Sequence, residues 1–369
     1  MTPSKLRVGV VVTSTEHGGA EAHIARIWTS SVVAARARAH LLGSLPQWSS
    51  TELPATDLGT GAKWSYRRAV SSVASMPLVV RRSRATIREV DRTEHFDAFY
   101  AHFKREQVLY TSSLASIAPT IWMEHGHFPG GRLRRPLAAA YRRVAERTAA
   151  IVCLSASVKA ELEGILGSGA PEPIVIENAI EPGWTTPASE VERDDARRSL
   201  GIPTDAEMVV AVVARLIPRK RVELAIAAAA LLPSCWVVVC GDGPLAESLR
   251  AQAAGNPRVV FTGFRTDPRP VYAASDVLLL ASWEEGFGHV LLEGASAGLP
   301  AVVVADGGLS ASVAGWGAVA DAPTGGAVAE ALVHAATLPS GAARRWADAH
   351  DPDSWGRAHL AVLERAVSG

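Results

Sequence analysis

The chain has 369 residues, enough for two domains of ordinary size, and 48% hydrophobic against 20% charged content marks it as a well-cored globular protein rather than a disordered one. No apolar run reaches the length of a membrane span. Three cysteines, Cys153, Cys235 and Cys240, sit in apolar strand-like contexts without metal-ligand spacing and read as reduced, buried thiols.

Net charge is zero but uneven: residues 1–180 hold 22 Lys+Arg against 15 Asp+Glu, and the remainder holds the opposite balance. Two basic clusters dominate the first half. Lys63, Arg67 and Arg68 join Arg81, Arg82, Arg84 and Arg88 in one; Arg132, Arg134, Arg135, Arg142, Arg143 and Arg147 form the other. Solvated helix faces account for them most simply, and an anionic acceptor or acidic membrane surface is the alternative. No aromatic-rich or known binding motif accompanies the charge, so nucleic acid is not expected as a partner. Met1–Arg7 leads into a strand without the apolar core of a signal peptide, which gives the expectation of a cytoplasmic protein, peripheral at the inner membrane face if the basic half meets lipid.

In chain order, Leu6–Thr13 reads as a strand, followed by a loop holding His17, Gly18 and Gly19 and a helix with Ile24, Ile27 and Trp28 on its apolar face. Paired glycines between a first strand and first helix present backbone amides to a ligand, but the G-x-G-x-x-G dinucleotide fingerprint is absent. Glu21 is either an acceptor contact or a favourable charge in the first helical turn. Residues 45–60 read as loop, and 64–90 as helix interrupted at Pro77. Phe96–His102 is strand-like and ends in His102. Thr120–Glu124 is the next strand, and His125 and His127 follow it, where α/β folds place ligands. No further Cys or His completes a metal site there. A basic helix over 132–147, a strand over 149–155, a helix over 158–166 and a strand over 174–180 complete the first half.

After a Pro/Gly/Thr-rich linker (181–187) and a charged helix (191–200), Met208–Ala214 is a strand that runs into Arg215 and Lys220, cations placed to clamp a diphosphate. Cys235–Cys240 is a strand ending in Gly241-Asp242-Gly243. Val259–Phe261 leads to Phe264. The apolar run 277–281 precedes Glu285-Gly286-Phe287-Gly288, a helix carrying Glu293, and the strand 301–304. The turn frees N–H groups at a helix start, a setting suited to phosphate. The eight-residue separation of Glu285 and Glu293 is read as two helical turns, with both carboxylates addressing one ligand. Asp351 and Asp353 sit in a capping turn before a last helix.

The run Glu285-Gly286-Phe287-Gly288 with Glu293, followed by Gly298 and Pro300, resembles the donor-site motif of family 4 retaining glycosyltransferases. Further likenesses fall in order: Gly18-Gly19, the strand ending at His102, His125 after its strand, Ile176–Ile180, Arg215 with Lys220, and Gly241-Asp242-Gly243. Ala179, Ala214 and Arg221 stand where the family pattern has glycines. The resemblance implies an α/β protein of GT-B architecture. Two Rossmann-like domains, residues 1–180 plus 354–369 and residues 181–353, would carry parallel sheets facing each other across a cleft, with the C-terminal helix crossing back to the first.

It further implies a retaining hexosyltransferase that takes a nucleotide sugar (UDP, GDP or dTDP type) as donor and needs no metal or other cofactor. Glu285, His125, Arg215 and Lys220 would be catalytic. Gly18, Gly19, Arg215, Lys220, Gly241, Gly243, Phe264, Glu285, Gly286, Phe287, Gly288 and Glu293 would bind donor, and His17, Glu21, His102 and His127 would meet the acceptor. That acceptor is a polyprenyl-phosphate intermediate or a small soluble molecule such as a natural-product core. A nucleotide-sugar epimerase or hydrolase, or a catalytically silent nucleotide-sugar-binding partner subunit, are the rival readings.

Overall fold

A computed structural model describes residues 4–14, 19–59, 76–131, 134–180, 183–339 and 341–369. His17, Gly18, residues 63–68, Arg132 and the linker positions 181 and 182 lie outside them. The chain forms two compact units, residues 1–178 with 352–369, and residues 179–351.

The first unit holds a seven-stranded parallel sheet among the described residues. Its strands are β1 (Leu6–Thr13), β2 (Ala37–Ser44), β3 (Ala55–Thr56), β4 (Ala98–His102), β5 (Thr120–Glu124), β6 (Ala150–Cys153) and β7 (Pro173–Val175). They lie in the order β3-β2-β1-β4-β5-β6-β7. The order reverses between β1 and β4, which pair directly, Val8 with Ala98 and Val11 with Ala101. A doubly wound sheet binds ligands beyond the carboxyl ends of the strands at such a reversal. Ser14 after β1, His102 at the end of β4 and His125 after β5 all occupy that end.

Ala37–Ser44, left unassigned in the sequence, and the stretch 45–60 differ from the sequence reading. Ala37–Ser44 is a full strand, paired with β1 from Leu6–Ala37 to Thr13–Ser44, although alanine, arginine and histidine fill its first half. Pairing against a fully buried neighbour overrides weak local propensity. Of the helix expected over 64–90, residues 64–75 lie outside the described residues, and Met76–Glu94 is helical and carries Pro77. Within 45–60, read as loop, lie a short 3-10 turn (Pro46–Ser50) and the edge strand β3.

The second unit is built on β8 (Met208–Val213), β9 (Cys235–Cys240), β10 (Val259–Gly263), β11 (Val277–Leu280), β12 (Ala301–Val304) and β13 (Ala318–Ala320), in the order β10-β9-β8-β11-β12-β13. Alternate residues feed two cores. Val210, Val237, Leu279 and Val302 pack on one face, and Val209, Val238, Leu278 and Val303 on the other. Helices cover both faces, which is why these strands read as unbroken apolar runs. The reversal falls between β8 and β11, and the loops following both carry the family-like motifs.

The helix Pro352–Ser368 belongs to the first unit, where it contacts β4 and β5 and buries Trp355, His359, Val362 and Leu363. All three cysteines are buried and unbridged, and burial pushes the Cys153 and Cys235 thiols up to about 12. No helix among the described residues is long and apolar enough to cross a membrane.

Candidate active site

In the second unit, three loops at the carboxyl end of the sheet are stitched together. Lys220 Nζ donates to Glu285 Oε2 at 2.5 Å, and both side chains are largely shielded from solvent, at 15% and 14% exposure. Arg219, which the sequence left without a role, clamps the same loop: its guanidinium donates to the Glu284 carbonyl at 3.0 Å, and its own carbonyl accepts from Trp283 N–H at 2.9 Å. Glu284 is thereby held at φ +50°, a left-handed conformation uncommon for a side-chain-bearing residue. The Glu285 N–H donates to the Gly307 carbonyl at 3.0 Å. Burial alone would raise the Glu285 carboxyl, but the Lys220 ammonium, its hydrogen bond and the Arg219 charge outweigh that and hold it below the usual carboxylate range.

Arg221 has a similar explanation. It stands where the resemblance calls for glycine, and its backbone is left-handed, φ +48°. Its guanidinium is bidentate to Asp306, at 2.7 and 2.8 Å, and lies 6.0 Å from the Trp283 ring centroid. A fork-to-fork pair of this kind offsets the backbone cost of about 1–2 kcal/mol that glycine would avoid. Arg215 is exposed at the end of β8.

The glycines at 241 and 243 answer to a different requirement from the one read in the sequence. A Cβ at Gly241 would lie 1.8 Å from the Ala214 carbonyl oxygen, and one at Gly243 2.5 Å from that of Leu216. Close approach of the two backbones, locked by Leu216 N–H donating to the Asp242 carbonyl, demands both glycines without any ligand. Gly288, at φ +76°, caps the helix His289–Ser296.

Glu285 precedes that helix, so the separation from Glu293 is not two helical turns; the first half of it is loop. Glu293 accepts a 2.6 Å hydrogen bond from the Tyr272 hydroxyl, whose phenol burial and the Glu293 charge keep well above its ordinary value. The Phe287 side chain is buried, stacked 6.4 Å from Trp346 and beside His350, so only its backbone faces the turn. Phe264 is 72% exposed.

In the first unit the named side chains form a ring cluster. His102 is fully buried, and its Nδ1 lies 3.0 Å from His125 Nε2 with the rings stacked. It therefore addresses His125 rather than an acceptor. His23 packs edge-on against His125, Trp355 and His359. Tyr100 stacks on His102 and lies 3.3 Å from His359 Nδ1 through its hydroxyl. Burial lowers His359 to about 3, so it is neutral. Glu21 is buried and accepts from Ser14 Oγ at 2.8 Å, tying the end of β1 to the helix Gly19–Thr29.

His127 is engaged differently from the expectation. Its Nδ1 lies 2.9 Å from Glu161 Oε2, which also accepts from Phe128 N–H, while Arg134 pairs with Glu161 Oε1. That network anchors the loop after β5. Glu124, one residue before His125, is buried between Lys104 and the Tyr141 hydroxyl. Sequence reading missed Glu124, Lys104 and Glu161, because their partners are distant in the chain. Among the described residues, no group of three His, Cys, Asp or Glu side chains is arranged to hold a metal ion.

Two doubly wound parallel sheets, with the last helix returned to the first unit, are the GT-B architecture of glycosyltransferases. HepE of Anabaena, solved with UDP and glucose, superimposes with a TM-score of 0.78 at 19% identity over 97% of this chain and 99% of that one. Sucrose-phosphate synthase from Thermosynechococcus elongatus gives a TM-score of 0.79 at 16% identity over 99% and 100% of the two chains. Residues 17–184 match the family model described as Glycosyltransferase Family 4, and residues 192–347 the model described as Glycosyl transferases group 1. The chain belongs to this family of group 1, family 4 glycosyltransferases. It is also 35% identical over 133 residues to D-inositol 3-phosphate glycosyltransferase of Mycobacterium tuberculosis, a match spanning 33% of this chain and 27% of that relative.

Proposed function

We propose that this protein transfers a hexose-type sugar from a nucleoside diphosphate sugar to an acceptor hydroxyl, with retention of anomeric configuration. The observation that carries the reading is the Lys220–Glu285 pair, shielded, braced by Arg219, and set beside the Gly286–Gly288 turn at a helix start. As the sugar–phosphate bond breaks, negative charge develops on the leaving diphosphate. Lys220, Arg215 and the positive end of the helix His289–Ser296 stabilise it. Two cations and a helix end take the place a metal ion would fill. Glu285, kept ionised by Lys220, accepts hydrogen bonds from the sugar hydroxyls, and Glu293, oriented by Tyr272, accepts from the ribose.

The first unit takes the acceptor, on the side of its sheet where His125 stands after β5. A cavity of about 690 Å³ lined by Arg81, Arg84 and Arg88 supports an anionic acceptor, either lipid-linked at the inner membrane face or small and soluble.

Thermal shift with UDP, GDP, ADP, dTDP and their common sugars, with and without a chelator, tests the donor site. One nucleotide should raise Tm selectively, in chelator as well as without it; at a hundredfold excess over Kd the stabilisation is about 2.7 kcal/mol. Lys220→Ala should abolish the shift. Silence with every nucleotide would overturn the reading.

A further inference from the structure

We infer that Phe103 is a positioning residue: its backbone adopts a conformation nearly confined to glycine, and that conformation carries its ring onto His125. Phe103 stands between β4 and the helix Lys104–Leu114 at φ +58° and ψ +146°. A Cβ is crowded there, and residues held in such regions persist only where their surroundings over-determine them. The helix start does not demand it. Ser155 opens the helix Ala156–Ile165 of the same unit from an ordinary extended conformation, φ −157°, and caps it through its side chain, whereas Phe103 makes no side-chain cap.

The gain lies beside β5. Successive side chains of a strand point to opposite faces, so His102 and Phe103 would diverge if the chain ran on extended. With φ reversed, both rings meet one imidazole: His102 stacks on His125 at 5.2 Å between centroids, and Phe103 lies tilted against it at 5.3 Å. His23 closes a third side, edge-on at 5.5 Å. The neighbours on either hand fix the turn. His102 Nδ1 lies 3.0 Å from His125 Nε2, and Lys104 pairs with the buried Glu124, so three consecutive residues grip Glu124 and His125.

An imidazole packed on three sides keeps one orientation, and orientation is what a group beside a reacting bond needs. That consequence rests on the proposed transferase reading; the ring placement does not.

Three variants separate strain from ring. Phe103→Ala removes the ring and keeps the crowded Cβ, Phe103→Gly removes both, and Phe103→Tyr keeps the ring. Urea midpoints should rank Phe103→Gly above Phe103→Ala, the reverse of the usual order of these residues; the usual order would overturn the strain and the proposal with it. In ¹H–¹³C spectra of histidine-labelled protein, His125 Cε1–H, assigned with His125→Gln, should shift in Phe103→Gly and return near its wild-type position in Phe103→Tyr. No shift would overturn the contact. Turnover is read as nucleotide release, with water as acceptor, from the donor that thermal shift selects. Phe103→Gly should lower kcat about ten- to a hundredfold, the cost of a misplaced group, at unchanged donor KM, with Phe103→Tyr restoring it. Equal kcat in wild type and Phe103→Gly removes the positioning role. In a His125→Gln background the same change should cost nothing further; a full additional loss means that Phe103 acts through another group and overturns the inference. A His125 shift in a protein that responds to no nucleotide would sink the transferase reading and leave the ring placement intact.

Discussion

The second unit gathers charge: Lys220, Arg219 and Arg221 face Glu285, the Glu284 carbonyl and Asp306, and every cation named has an oxygen as partner. The first unit gathers rings: His23, His102, His125 and His359 pack with Tyr100 and Trp355, and burial holds His102 and His359 neutral. Both clusters sit at the carboxyl ends of doubly wound sheets, so topology alone does not decide what such a position does. Paired charges near solvent can exchange partners when an anion arrives. Neutral rings in a dry interior can only fix one another's orientation and the position of a proton.

Substitutions should separate the two. Trp355→Ala, which empties a buried ring position in the first unit, should cost about 3–5 kcal/mol in urea unfolding, with the nucleotide response of the second unit preserved in the folded protein. If that response disappeared too, the division between a stability-bearing and a ligand-bearing cluster would fail. Lys220→Ala should cut turnover about 10²–10³-fold, the loss seen when one stabiliser of developing charge is removed, and should also lower the urea midpoint, because it leaves the shielded Glu285 carboxylate unpaired. Gly241→Ala should destabilise the second unit by at least about 1–3 kcal/mol from backbone strain alone, since its Cβ would meet the Ala214 carbonyl oxygen at 1.8 Å. Far-UV circular dichroism of the variant in urea measures this.

The smallest effect is in pH. His359 is lowered from 6.5 to about 3, so the unfolded chain takes up that proton first; the stability it contributes is complete above pH 6.5 and is lost as pH falls towards 3. Glu285 is lowered from 4.5, so its contribution is complete above that value and is lost only below it. Urea midpoints taken from pH 7 to 4.5 should therefore fall less steeply in His359→Phe than in wild type. Glu285→Gln should lie below wild type by a constant amount above pH 4.5 and approach it only below that value; equal midpoints at pH 6 would contradict the ion-pair assignment.

The donor-side residues were legible because their motifs are contiguous: Lys220 and Glu285 each stand in a loop right after an apolar strand, and their pairing follows from neighbouring strands in the sheet. Roles that depend on loops meeting in space were not. Arg219 and Arg221 look like surplus charge in the sequence, and only the approach of the 283–285 and 305–307 loops gives them partners. One inference failed: helical spacing was applied to Glu285 and Glu293 across a loop. β2 escaped notice because its strand character comes from β1 beside it rather than from its own residues.

The helix Pro352–Ser368 supplies two of the six rings in the first unit's cluster: Trp355 and His359 reach His23 and Tyr100 only after residues 179–351 have been made. In topological terms the second unit is an insertion within the first. During synthesis, the continuous second unit can fold as soon as it clears the ribosome, while the earlier-made sheet waits with its β4 and β5 side uncovered. The first unit's ring cluster is thus complete only once the second unit has been synthesised.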